Sequence, residues 1–200
     1  MEQEKDLIER TVAGSSAAYA ELYEQTAGDL YKLIRLLVGN TEDAQDVMQE
    51  TYLQAHRNLH RFDRDRAFRP WVTGIALRQV KACRRKSWLQ ARRIGRAAQY
   101  NRRTEEADFA NESAERLDRG EWIERIERLP YKLRQIVILK YLNDYAQEEI
   151  AEILGIPLGT VKSRVHAALE RLRKSGPKPF EQERSDSAEN AHLKTGGRYS

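Results

Sequence analysis

Residues 145–174, YAQEEIAEILGIPLGTVKSRVHAALERLRK, leave the chain little choice of local structure. Ile150, Ala151, Ile153 and Leu154 recur at helical spacing and stop at Gly155, a residue suited to ending a helix. Gly155, Ile156 and Pro157 make only a short turn before a second periodic run, in which Val161, Val165, Leu169 and Leu172 lie at offsets of 0, 4, 8 and 11. The small Ala151 allows close approach of the two helices. This is the layout of a helix-turn-helix, whose second helix enters the DNA major groove. With its apolar stripe inward, that helix presents Lys162, Ser163, His166, Arg173 and Lys174, with Arg164 and Arg171 on its flanks. Thr160 and Ser163, near the N-terminus, suit phosphates or base edges, and Lys162 and Arg164 suit guanine. The plain alternative is a helical hairpin with solvated lysines; the tight turn, the small residue and the basic outer face argue against it. GTVKS is not a phosphate-binding loop. Thr160 and Val161 separate Gly159 from Lys162, and a helix, not a strand, precedes it.

Helical periodicity also dominates elsewhere, and no run sustains strand alternation. Leu7, Ile8 and Val12 predict a first helix ending near Gly14, and Ser15 or Ser16 caps a longer one through Leu37, with Gly28 a point of weakness. Asn40 or Thr41 opens a third helix, to about Leu59. Pro70 opens a fourth on which Val72, Ile75, Ala76, Val80 and Cys83 face inward. The expected architecture is all-α: a four-helix domain over 1–88, a flexible linker over 89–120, and the helix-turn-helix domain over 121–174. A polar tail over 175–200, expected to be disordered, follows.

The 200 residues suffice for two small domains, with 40% apolar and 33% charged residues. A formal net charge of +4 says little by itself, but its distribution is uneven. Residues 78–103 hold ten Lys or Arg and no acid, whereas residues 41–54 hold four acids and no base. The first block suits phosphate and the second a protein partner, although either could be a solvated helix face. The single Cys83 forms no intramolecular disulfide, and no apolar run is long enough to span a membrane. MEQEKDLIER lacks the apolar core of a signal peptide, so a cytoplasmic protein is expected. His56, His60, His166 and His192 are scattered, and no paired-carboxylate cleft is apparent. No enzyme activity, cofactor or metal site is therefore expected.

The stretch RLPYKLRQIVILKYLNDYAQEEIAEILGIPLGTVKSRVHAALERLR resembles region four of the extracytoplasmic-function sigma factors. The matching residues are Leu129-Pro130, Arg134, Glu149-Ile150-Ala151, Gly155 and Gly159 to Arg164. EDAQDVMQETYLQAHRNL and FRPWVTGIA are similar to region two of the same family. The resemblance implies a bacterial RNA polymerase subunit that selects promoters. Its helix-turn-helix would read the upstream (minus-thirty-five) element through Thr160, Lys162, Ser163, Arg164, His166 and Arg171. The helix over 71–88 would face the downstream (minus-ten) element through Arg78, Lys81, Arg84, Arg85 and Lys86. The preceding loop, with Phe62 and Phe68, would receive an extruded base. Phe62, Phe68 and Trp71 equally suit a core.

By the same resemblance, Asp43, Asp46, Gln49, Glu50 and Tyr52 would dock on the clamp coiled coil of the largest polymerase subunit, with a further contact at the flap region. An anti-sigma factor is an expected partner, and direct membrane insertion is not. The chain departs from the family at Arg78, where Asn is usual, and at Ala82, often Asp. Ala146 replaces a usual Ser or Thr cap, and His56 stands where Trp is common. A free-standing helix-turn-helix regulator is the competing reading. It gives the acidic and aromatic-basic helices no role.

Overall fold

Helix α1 spans Glu2–Val12, and Gly14, at φ 100°, turns the chain toward α2, Ser16–Val38. The Ser15 hydroxyl caps α2 by accepting from the Ala18 N–H at 3.3 Å. Gly28 does not interrupt α2, which runs unbroken to a left-handed Gly39 cap. Asn40 caps α3, Thr41–Asn58, by accepting from the Asp43 N–H at 2.7 Å. A short 3-10 turn over Leu59–Arg61 leads to the loop before α4. That helix covers Phe68–Arg93, so it starts two residues before Pro70 and continues past the expected domain end at 88. This computed structural model describes residues 2–93 and 115–174. Most of the expected linker and all of the expected tail lie outside the described residues.

The second half begins with α5, Glu115–Arg128, and α6, Tyr131–Val137, which passes into a π turn over Ile138–Leu142. Then come α7, Gln147–Leu154, and α8, Leu158–Lys174. Gly155 closes α7 at φ 61°, a left-handed conformation that side chains with a Cβ disfavour. All described regular structure is helical, as expected.

Leu33, Ile34 and Leu37 of α2, Ala44 and Ala55 of α3, and Val72, Ala76 and Val80 of α4 are fully buried. In the second half Ile136, Ile138, Leu139, Ile150, Val161 and Ala168 are equally enclosed. Ala168 takes the inward place in α8 that helical spacing had assigned to Leu169, which is only partly buried. The two halves do not stand apart: α4 packs on α7, and α2 on α5, α6 and the π turn. Their apolar residues form one continuous cluster.

Candidate nucleic-acid interface

The C-terminal face is built by α7 and α8. Ala146 offers α7 no side-chain cap, but the Glu149 carboxylate reaches back and accepts from the Ala146 N–H at 2.8 Å. Ile150 of α7 and Val161, Val165, Ala168 and Leu172 of α8 close the core between them. Lys162, Ser163, His166 and Arg171 are consequently exposed, with Thr160 and Arg164 half-buried. Ser163 donates its hydroxyl to the Thr160 carbonyl at 3.0 Å, leaving its lone pairs outward. Glu170, ion-paired with Lys174 at 2.9 Å, has its carboxyl held below the usual range by that ammonium.

On α4, Arg78, Lys81, Arg85 and Lys86 are exposed and bridge to no acid among the described residues. Arg84 differs. It turns aside, donates to the Leu37 carbonyl at 3.0 Å and lies 4.3 Å over the Tyr131 ring of the second half. Phe62 and Phe68 are 7% and 1% exposed and pack against each other and Trp71, with ring centroids 4.8–6.2 Å apart. They are core anchors in this structure, fixed by the loop entering α4. The exposed side of that cluster is a polar cavity of about 310 Å³ lined by Gln54, Asn58, Arg61, Trp71, Ile75, Arg78 and Gln79. Arg61 belongs to the loop over 60–69 that the resemblance assigned to this role, whereas sequence reasoning missed Gln54, Asn58 and Gln79. Only the meeting of α3 with α4 places them together. A chain of hydrogen bonds orients two of them: Asn58 to the Gln54 carbonyl, and Gln54 to Glu50, both at 2.7 Å.

The acidic helix α3 exposes Asp46 and Gln49, whereas Asp43 and Glu50 are half-buried. Asp43 accepts from Asn40 at 2.7 Å and so serves the helix start. Tyr52, 6% exposed, points inward and shares a 2.7 Å hydrogen bond with Thr26. Burial pushes its phenol up to about 12, and burial beside Tyr52 does the same to Tyr19, whose hydroxyl donates to the Tyr52 carbonyl. These rings floor an apolar groove between α2 and α3, flanked by half-exposed Tyr23 and Leu53. His56 closes its end, edge-on to Tyr19 at 4.9 Å. No helix among the described residues is long and apolar enough to cross a membrane.

Two family models match the chain: sigma-70 region 2 over residues 22–89 and sigma-70, region 4 over residues 119–172. The RNA polymerase sigma-H factor of Pseudomonas aeruginosa is 32% identical over 188 residues, covering 87% of this chain and 94% of the relative. The ECF RNA polymerase sigma factor SigW of Bacillus subtilis is 29% identical over 177 residues, covering 85% and 95%. Among solved structures, CnrH in complex with the cytosolic domain of CnrY matches with a TM-score of 0.64 at 22% identity, covering 86% of this chain and 96% of that one, which supports the fold. The matched segments include the exposed cations Arg78, Lys81, Arg85 and Lys86 of α4 and Lys162 and Arg171 of α8. The chain belongs to the sigma-70 family, among the extracytoplasmic-function alternative sigma factors that direct transcription initiation.

Proposed function

We propose that the chain binds core RNA polymerase through α3, reads the upstream element with α8, and reads and opens the downstream element with α4. The observation that carries this is the separation of two outward cationic faces, on α4 and α8, from an acidic surface on α3. Phosphate neutralisation by Arg78, Lys81, Arg85 and Lys86 holds the backbone of the opened strand. Base readout at the upstream element falls to Lys162 and Arg164, with Thr160, Ser163, His166 and Arg171 positioning the helix. The cavity beside Trp71 suits an extruded base. It offers an aromatic face, the cations of Arg61 and Arg78, and the amides of Gln54, Asn58 and Gln79. Asp46 and Gln49 are the accessible polar contacts for the polymerase clamp, with the flap region as a second contact. CnrH, a solved relative in fold, is bound by the cytosolic domain of CnrY, and an inhibitory protein partner is proposed here too.

Strand opening tests the reading. Core polymerase with this chain should render thymines of the downstream element reactive to permanganate, and Asp46→Arg should abolish that by preventing association. Opening that persists undiminished in Asp46→Arg would remove α3 as the polymerase-binding surface.

A further inference from the structure

Helix α1 has an inner face of Leu7, Ile8 and Thr11, all buried, and a polar face turned to a single loop. Residues 63–67 run between the buried Phe62 and Phe68, and all five are exposed. Within the loop, the Asp65 N–H donates to the Asp63 carboxylate at 3.1 Å and the Arg66 N–H to the Asp63 carbonyl at 3.0 Å. Three further contacts come from α1. Lys5 pairs with Asp65 at 3.1 Å, Glu9 pairs with Arg64 at 2.7 Å, and the Glu4 carboxylate accepts from the Phe68 N–H. The last is a helix cap supplied by another element. It satisfies a donor that has no partner inside α4 and sets a negative charge at the positive end of that helix's dipole. Lys5 and Glu9 stand four apart on α1, a spacing at which they could pair with each other. Each instead reaches across to a loop residue of opposite charge. Exposed pairs of this kind are individually weak and screened by salt. A short loop held at three points, one of them a cap, nevertheless loses much of its freedom before any ligand arrives.

The loop matters for what its ends carry. Arg61, just before it, lines the cavity of about 310 Å³, and Phe62 packs at 4.8 Å on Trp71, which lines it too. Phe68, just after it, closes the same cluster at 6.2 Å from Phe62 and 5.6 Å from Trp71. Glu4, Lys5 and Glu9 are not among the lining residues, so α1 acts on the cavity only through the loop. We propose that α1 is a positioning element for this cavity. Glu4, Lys5 and Glu9 pin the loop so that Arg61 and Trp71 are in place for an extruded base before the downstream strand opens. A base entering a preformed pocket does not have to order its walls, and capture is favoured accordingly. The assignment of the cavity to a base rests on the sigma-factor reading; the pinning of the loop does not.

Variants of the full chain test this. Lys5→Glu with Glu9→Arg keeps the net charge but turns both pairs into repulsions. Glu4→Ala removes the cap, whereas Glu4→Gln keeps an acceptor. With saturating core polymerase, the charge-swapped chain and Glu4→Ala should each lower permanganate reactivity of the downstream thymines about fivefold, with unchanged affinity for core polymerase. Adding Arg64→Glu and Asp65→Lys to the swapped chain should restore reactivity, and Glu4→Gln should retain it. In amide hydrogen exchange of the free chain, Phe68 and the loop should exchange about tenfold faster in Glu4→Ala and in the swapped chain. Undiminished opening in both variants, unchanged exchange, or a loss that neither repair prevents would overturn the positioning role. Faster exchange in the variants, with no promoter opening by the wild-type chain and core polymerase, would retain α1 as the anchor of the loop while overturning the sigma-factor reading.

Discussion

Single residues divide into those whose exposure was legible and those whose partners were not. The cations of α8 follow from helical spacing alone, since burying Val161, Val165 and Leu172 forces Lys162 and His166 outward. Lys162→Ala combined with Arg164→Ala should lower discrimination among upstream-element variants tenfold or more, because a good base contact is worth about 1–3 kcal/mol. Binding assays across those variants check this. Phe62 and Phe68 were ambiguous, because an aromatic ring serves a core and a binding surface equally well by composition, and the family resemblance put Tyr52 at the polymerase-binding surface. Packing places all three inside. The tyrosines carry a pH signature. Folding raises the phenols of Tyr52 and Tyr19 to about 12, so the folded state prefers them protonated. Their contribution is complete below the ordinary value near 10 and is lost as pH rises toward 12. In an ultraviolet titration, Tyr19 and Tyr52 should be among those of the nine tyrosines that ionise only as the chain unfolds in that range. Ordinary titration of all nine in the folded chain would contradict it.

At the scale of elements, helix starts and stops were readable where a side chain signals them. Ser15, Asn40, Gly39 and Gly155 mark ends that the structure has. Residues 138–142 were not readable as a π turn, because the i→i+5 bond from the Asn143 N–H to the Ile138 carbonyl leaves no compositional trace. That turn delivers Asn143 and Tyr145 to the first half, so an irregularity invisible in the sequence places part of the contact between the halves. Ala146 is a start without a side-chain cap. Its backbone, at φ −63° and ψ 155°, already suits one. Ala146→Ser should stabilise the chain by about 1 kcal/mol in urea denaturation, and no change would mean that Glu149 alone satisfies the helix start. On α4, Lys81→Ala with Arg85→Ala should weaken DNA binding almost uniformly across sequences. It should reduce the salt slope by about 2, as expected for two phosphate contacts.

For the whole molecule, the all-α class and the order of its two halves were legible from periodicity, turn residues and the alternation of acidic and basic blocks. Their mutual packing was not. It depends on long-range pairs such as Thr73 with Tyr145 and Arg66 with Glu152, and no local pattern brings these together. The candidate site was legible as two cationic helix faces, but its cavity was not, because α3 and α4 supply the walls from separate parts of the chain. The proposed role of this assembly is to give core RNA polymerase its choice of promoter. It is tested most directly by transcription in vitro on a library of promoter fragments, with and without the purified chain. Initiation at a shared two-element motif, dependent on the added chain and lost on Lys162→Ala with Arg164→Ala, is the predicted result. Duplex binding by the chain alone, with no stimulation of core polymerase on any fragment, would contradict the account and indicate a free-standing regulator.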